Sequence, residues 1–153
     1  MELIIPQTLK AEHDDLHQML KKATEFSGKT GLAAKEVARQ LHTHFIKEEE
    51  FALPQLSLLP ALAAGKSVAD AESVITMSDK LKEELPEMLA EHKQIVKALQ
   101  ELVKCAKEEG HSEVIDFAEK LMLHAKTEEE VSYPAAILVG EFLKMKIGRA
   151  KVV

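Results

Sequence analysis

The chain has 153 residues, 46% apolar and 30% charged, enough for one domain (1–153) with a real core, and Ala, Leu, Glu and Lys dominate, so the expected class is all-α. A formal charge of −6 argues against a nucleic-acid partner, which needs a basic stripe. The single cysteine, Cys105, excludes an intramolecular disulfide and a thiolate-rich metal site and reads as a small buried hydrophobe on a helix.

A first helix is expected from about Gln7 or Thr8 to Ser27, with Thr8 as N-cap and Gly28 as stop. Its apolar stripe, Leu9, Leu16, Leu20 and Ala23, includes His13. A second helix runs from about Leu32 to Leu53, with Val37, Ala38, Leu41, Phe45 and Ala52 inward, His44 and Glu48 on the same face, and Pro54 breaking or kinking it. From Gln55 to about Ser78 the pattern loosens. Leu56, Leu58, Leu59 and Leu62 suggest a short helix closed by Gly65, and Ser67 or Asp70 opens another turn or two. This stretch is too apolar for a solvated linker and should cross the end of the bundle or contribute to a dimer contact.

The third long helix is expected from about Asp79 to Glu109, with a kink or break near Pro86 and Gly110 as its end. Its stripe of Leu85, Leu89, Ile95, Val96, Leu99 and Val103 is interrupted by His92. Ser112 should cap a fourth helix to about Tyr133, with Val114, Phe117, Leu121 and Val131 inward and His124 and Glu128 on that face. A final helix follows Pro134, from Ala135 to Ile147. The cations Lys144, Lys146, Arg149 and Lys151 suit a helix C-terminus and a tail. Met19, Met88, Met122 and Met145 read as core filler. The N-terminus, Met-Glu-Leu-Ile-Ile-Pro, lacks the basic region of a signal peptide. No run approaches the ~18 apolar residues of a membrane span. The expected compartment is therefore cytoplasmic, with no membrane partner.

The strongest feature is a repeat. His44-Phe-Ile-Lys-Glu48-Glu49-Glu50 recurs 80 residues later as His124-Ala-Lys-Thr-Glu128-Glu129-Glu130, each copy ending in a proline six residues past its first glutamate. Glu12-His13 and Glu91-His92 precede them, and the paired histidines stand 31 and 32 positions apart. Aligning Glu36–Pro54 with Asp116–Pro134 leaves seven of nineteen positions identical. Repeat one spans about 8–54 and repeat two about 87–134. Two such hairpins make an antiparallel up-down four-helix bundle most simply, with the short connecting helix and the C-terminal helix added.

One inward histidine on an apolar stripe is ordinarily a core residue with a hydrogen-bond partner. Four histidines and two glutamates, one set per helix, are different. Two buried carboxylates without a counter-charge cost several kcal/mol each, and no inward Lys or Arg stands at matching levels. A dinuclear cation site offsets them, and imidazole with carboxylate and no thiolate suits iron, with manganese or zinc as possible substitutes.

In order and spacing these segments resemble the hemerythrin-like, or HHE cation-binding, domains over about residues 8 to 147. The resemblance implies that His13, His44, Glu48, His92, His124 and Glu128 bind two oxo- or hydroxo-bridged iron ions. It further implies that His13 and His44 hold one ion, that His92 and His124 hold the other, and that both glutamates bridge. Oxygen-carrying members have a fifth histidine where this chain has Met88, and end His-x-x-x-x-Asp where it has His124-x-x-x-Glu128. Each ion therefore keeps an open position or takes an extra ligand, for which His17 is the candidate. Glu12 and Glu91 read as surface residues, Glu49 and Glu129 as solvated, and His42 and His111 as exposed. Tyr133 lies within reach of a carboxylate ligand.

By analogy the expected function is small-ligand binding (oxygen, nitric oxide or similar) for sensing, storage or stress response, favoured over a dedicated enzyme. The alternatives are a di-iron oxidase or peroxidase, and an iron-sensing or iron-handling protein. A homo-oligomer is compatible with the apolar connection and final helix.

Overall fold

The computed structural model describes residues 3–152, with side chains described as far as Gly148; Met1, Glu2 and the side chains of Arg149 and Lys151 lie outside the described residues. Six α-helices account for most of the chain, and no strand occurs among the described residues: α1 (Gln7–Thr24), α2 (Gly28–Lys47), α3 (Leu59–Ala63), α4 (Ala71–Glu109), α5 (Ser112–Thr127) and α6 (Tyr133–Val152). Helices α1, α2, α4 and α5 form the expected all-α bundle. The first pair and the last pair are joined by tight turns, which makes each pair antiparallel.

Several helix ends differ from expectation. Thr8 lies inside the first turn of α1, where Pro6 takes the cap position and its carbonyl accepts the N–H groups of Leu9 and Lys10 at 3.0 Å. Helix α1 ends at Thr24, and α2 begins four residues before Leu32, at Gly28, whose φ is +82°. A neighbouring helix caps α2: the Glu109 carboxylate accepts from the Thr30 N–H at 2.7 Å and the Lys29 N–H at 3.3 Å. An acid at a helix N-terminus meets both the unpaired amides and the positive end of the dipole. Thr30 therefore holds Glu109 below the usual carboxylate range.

Gly31 is required for close approach, because a Cβ there would overlap the backbone carbonyl oxygen of Phe26. Gly31→Ala is expected to destabilise the chain by at least about 2 kcal/mol, since backbone must move to admit the methyl. Denaturant titration checks this; an unchanged midpoint would show that the turn relaxes freely.

Helix α4 starts at Ala71 rather than Asp79 and runs through Pro86 without a break in its assignment. Asp70 turns the chain into it from the left-handed region (φ 56°), with the Ser73 hydroxyl donating to its carboxylate at 2.8 Å. At 39 residues and 1.5 Å per residue it is roughly 58 Å long, so its first third overhangs the bundle. There Val74 packs with Val139 and Leu143 of α6, and Leu58 and Leu62 of the connection close the cluster. Gly140 and Ser78 mark the close crossing of α6 and α4, and the Ser78 hydroxyl donates to the Ala136 carbonyl at 2.8 Å. Lys144 pairs with Asp79 and Glu141. Cys105 is buried on α4 as expected. The final helix starts earlier and runs longer than expected, and Met145 on it is exposed rather than core. Ser112 is the first residue of α5, with His111 before it at the cap and stacked on Phe26.

Both His-x-x-x-Glu segments run into a single π-helical turn, Glu48–Ala52 and Glu128–Ser132. Each turn starts at the glutamate and closes on its carbonyl, with the Leu53 N–H bonding the Glu48 carbonyl at 2.9 Å and the Tyr133 N–H bonding that of Glu128. Pro54 and Pro134 have no N–H and disturb the carbonyls four residues back, so a widened turn accommodates each proline inside a continuing coil. The extra residue also shifts the helical phase. Val131, expected inward, is consequently exposed.

Candidate metal centre

On each bundle helix the histidine falls between two apolar clusters. Leu16, Leu41, Ile95 and Leu121 belong to the main bundle core, while Phe51, Leu53, Met88 and Tyr133 form the second cluster, with Leu9 packed against it. His13, His44, His92 and His124 therefore form one polar layer inside a hydrophobic interior. All four, with Glu48 and Glu128, are buried. Met88, fully buried, supplies hydrocarbon where a fifth imidazole would need a partner.

The rings point their Nε2 atoms at one another, His44 to His92 at 2.8 Å and His13 to His124 at 3.2 Å. Donor atoms of His44, Glu48, His92 and Glu128 lie within 4.8 Å of one another, as do those of His13, His124 and Glu128. Each group could hold a metal ion, and Glu128 belongs to both. The fold does not bring together the hairpin pairing of His13 with His44 and His92 with His124; close contacts form across hairpins, α1 to α5 and α2 to α4.

The outer nitrogens explain the inner ones. His44 Nδ1 lies 3.0 Å from Glu91, His92 Nδ1 lies 3.2 Å from Glu129, and His124 Nδ1 contacts Glu12; His13 Nδ1 is 4.0 Å from Glu49. A carboxylate at Nδ1 fixes the proton there and leaves the Nε2 lone pair aimed inward, the arrangement that orients metal-binding imidazoles. Glu12, Glu91 and Glu129, expected on the surface or solvated, are therefore partners of the site. The signal was their position beside a ligand candidate in both repeats. Their targets lie on other helices, which local spacing does not reveal. Glu91→Ala is expected to weaken metal binding about 10- to 100-fold without unfolding the chain, because it frees the His44 ring. Competition with a coloured chelator measures this, and an unchanged affinity would remove Glu91 from the site.

Tyr133 completes the layer. Its hydroxyl donates to Glu48 Oε2 at 2.8 Å, and its oxygen sits 3.2 and 3.1 Å from Nε2 of His44 and His92. His17 is exposed, packs its edge on Phe45, and belongs to neither donor group. Phe45 instead stacks flat on His13, with centroids 4.1 Å apart. His42 is exposed as expected.

Glu48 Oε1 and Glu128 Oε2 have no hydrogen-bond partner although both are buried. Burial and the Glu128 charge push the Glu48 carboxyl well up. Burial also opposes charge on Glu128, but the neighbouring Glu48, His124, His13 and His92 side chains outweigh it and hold this carboxyl well below the usual range. Burial lowers His124, yet Glu128 and Glu12 together raise it to about 9; burial lowers His44 despite Glu91. Two carboxylates and four imidazoles converging on orphaned oxygens form a donor set that a cation satisfies.

The fold and this layer together define a metal-binding helical bundle. The hemerythrin HHE cation-binding domain family matches residues 5–136, and the chain belongs to that family. The match ends at Ala136, so most of α6 lies beyond it. No curated protein and no solved structure matches the chain. No helix among the described residues is long and apolar enough to cross a membrane.

Proposed function

We propose that the chain binds two iron ions, oxo- or hydroxo-bridged, through His13, His44, Glu48, His92, His124 and Glu128, and uses them to bind a small ligand such as oxygen or nitric oxide for sensing, storage or stress response. The reading rests on one observation above all: the convergence of these side chains, with carboxylates behind the imidazoles, around buried oxygens that have no partner. Manganese or zinc suits the same donors. A reduced di-iron pair would supply electrons and open coordination positions to the small ligand. Glu91, Glu129 and Glu12 hold the rings in register, and Tyr133 holds Glu48 through its hydroxyl. The two apolar clusters exclude bulk water and strengthen every charge interaction between them.

Metal analysis with optical spectra, recorded before and after reduction and again in air, tests this. A spectral change that appears with the ligand and reverses on its removal is the expected result. Irreversible oxidation with peroxide consumption would instead make the protein an enzyme. Loss of thermal stability on chelation, with no ligand response, would favour iron sensing.

A further inference from the structure

Helix α6 carries more apolar surface than one neighbour covers. It is apolar all round rather than on a single face, the pattern of a helix buried on more than one side. Val139 and Leu143 are buried and pack with Val74 on the overhanging first third of α4. Leu138, Phe142 and Met145, spaced four and three residues apart, form a second stripe that is 65%, 43% and 58% exposed. Leu32 and Ile46 on α2 and Leu123 on α5 are exposed as well, but no other helix among the described residues carries three such side chains in one stripe. Spacing of four and three is the seam of a helix pair. Beside this seam, Leu59 of α3 faces α6 across a groove of about 260 Å³ whose lining is apolar throughout. The stripe lies beyond Ala136, where the family match ends. Its flanks are charged and opposite in sign. At about 100° per residue, Glu141 borders the stripe on one side and Lys146 on the other. The Lys146 ammonium lies 5.6 Å from the Phe142 ring centroid. Lys82 and Lys144 both bond Glu141 Oε1, at 3.4 and 3.1 Å, which leaves Oε2 for a further cation.

We infer that this face of α6 docks a second copy of the chain, the two α6 helices packing side by side and parallel about a two-fold axis. Leu138, Phe142 and Met145 then meet their own counterparts, and α3 walls the contact. The flanking charges select the copy and the direction. In a parallel pair a flank residue meets the residue five positions on from it, on the partner's opposite flank. Glu141 and Lys146 are five apart, so the two-fold pairs Glu141 with the partner's Lys146 twice. An antiparallel pair would set acid flank against acid flank and basic against basic. Two helices of 20 residues, each about 30 Å long, bury with α3 on the order of 1,000 Å² in total, near the lower bound for a specific interface. The expected dimer is therefore reversible and micromolar, and none of the six metal-donor residues takes part in it.

Sedimentation and light scattering on the full-length chain as purified, from about 1 to about 200 µM, test this. A monomer–dimer equilibrium within that range is expected. Leu138→Glu should weaken it at least about tenfold while circular dichroism and metal content stay unchanged, because Leu138 is largely exposed in the single chain. Met145→Cys reads the direction. A parallel pair brings the two 145 positions within disulfide reach, so mild oxidation should give a covalent dimer; an antiparallel pair holds them well beyond the roughly 7 Å limit. The wild-type chain, whose Cys105 is buried, is the control and should stay uncrosslinked. A dimer indifferent to Leu138→Glu, or one that Met145→Cys does not crosslink, overturns the inference. So does a chain that is monomeric at about 200 µM. If that monomer sediments with phosphatidylcholine vesicles and Leu138→Glu abolishes this, the face belongs to a lipid surface instead.

Discussion

Glu128→Ala is expected to empty both metal positions, whereas His13→Ala should empty one. Glu128 is the only residue in both donor groups, and its two oxygens approach Nε2 of His92 at 3.3 Å and of His124 at 3.2 Å. Removing it takes a charged donor from each donor group together with the counter-charge of His124. The loss should exceed the roughly 10- to 100-fold that follows from deleting an outer hydrogen-bond partner. Metal content by elemental analysis, on monomeric fractions with native circular dichroism, is the measurement. Two ions retained in Glu128→Ala would defeat the site. A companion variant separates binding from folding. Burial and the Glu128 charge favour the protonated form of Glu48 in the metal-free chain, so Glu48→Gln, close to an isostere of that form, should leave the metal-free chain folded. It should still lower metal content sharply, because a neutral amide cannot replace the charged carboxylate that Glu48 offers a cation in the His44–His92 group.

Chelation is expected to lower the melting temperature substantially, and by more at pH 9 than at pH 6. Free metal held 1,000-fold above its dissociation constant adds about 4 kcal/mol per site. At about 2–4 °C per kcal/mol for a chain of this size, each site contributes roughly 10 °C. The pH dependence follows from the metal-free charge states. His124 is raised from 6.5 to about 9, so its contribution to metal-free stability is fully present below 6.5 and is lost as pH rises through 9. Glu48 is also raised, which again makes the metal-free fold less stable as pH rises. Glu128 is lowered and acts in the opposite sense, losing its contribution only as pH falls below the carboxylate range. Metal binding meanwhile displaces the protons on His124 and Glu48, so affinity grows with pH. The metal-free trend lowers both curves, and the rise in affinity widens the gap between loaded and stripped protein toward pH 9. Melting curves with and without chelator at both pH values test this; a gap that narrows toward pH 9 would show that these protons do not oppose the metal.

Much of the site was legible from spacing alone. His44 with Glu48, and His124 with Glu128, are four apart on amphipathic helices, which dictates a shared face, and the repeat doubled that signal beyond chance. The apolar residues flanking each histidine then placed all six donors in the interior. The helix boundaries were less legible where the chain meets partners that local pattern does not encode. Residues 71–78 serve α6 and the connection rather than the bundle, so their apolar positions follow a different face and α4 looked eight residues shorter. Val131 was misplaced because a π-turn shifts the phase by one residue, although Pro134 was the visible cause.

The amino-acid sequence by itself determined the helices, the duplicated donor set and the family, because all three are written in periodicities of three to four residues and in one 80-residue repeat. Only the tertiary structure decided which nitrogen of each ring faces inward, which histidines approach across hairpins, and that the Tyr133 hydroxyl reaches Glu48, His44 and His92. Those features depend on contacts between residues 36 to 112 positions apart, such as His13 with Glu49 and His124 with Glu12. Such contacts are set by how the four helices pack and by the π-turns that rotate the chain after each glutamate.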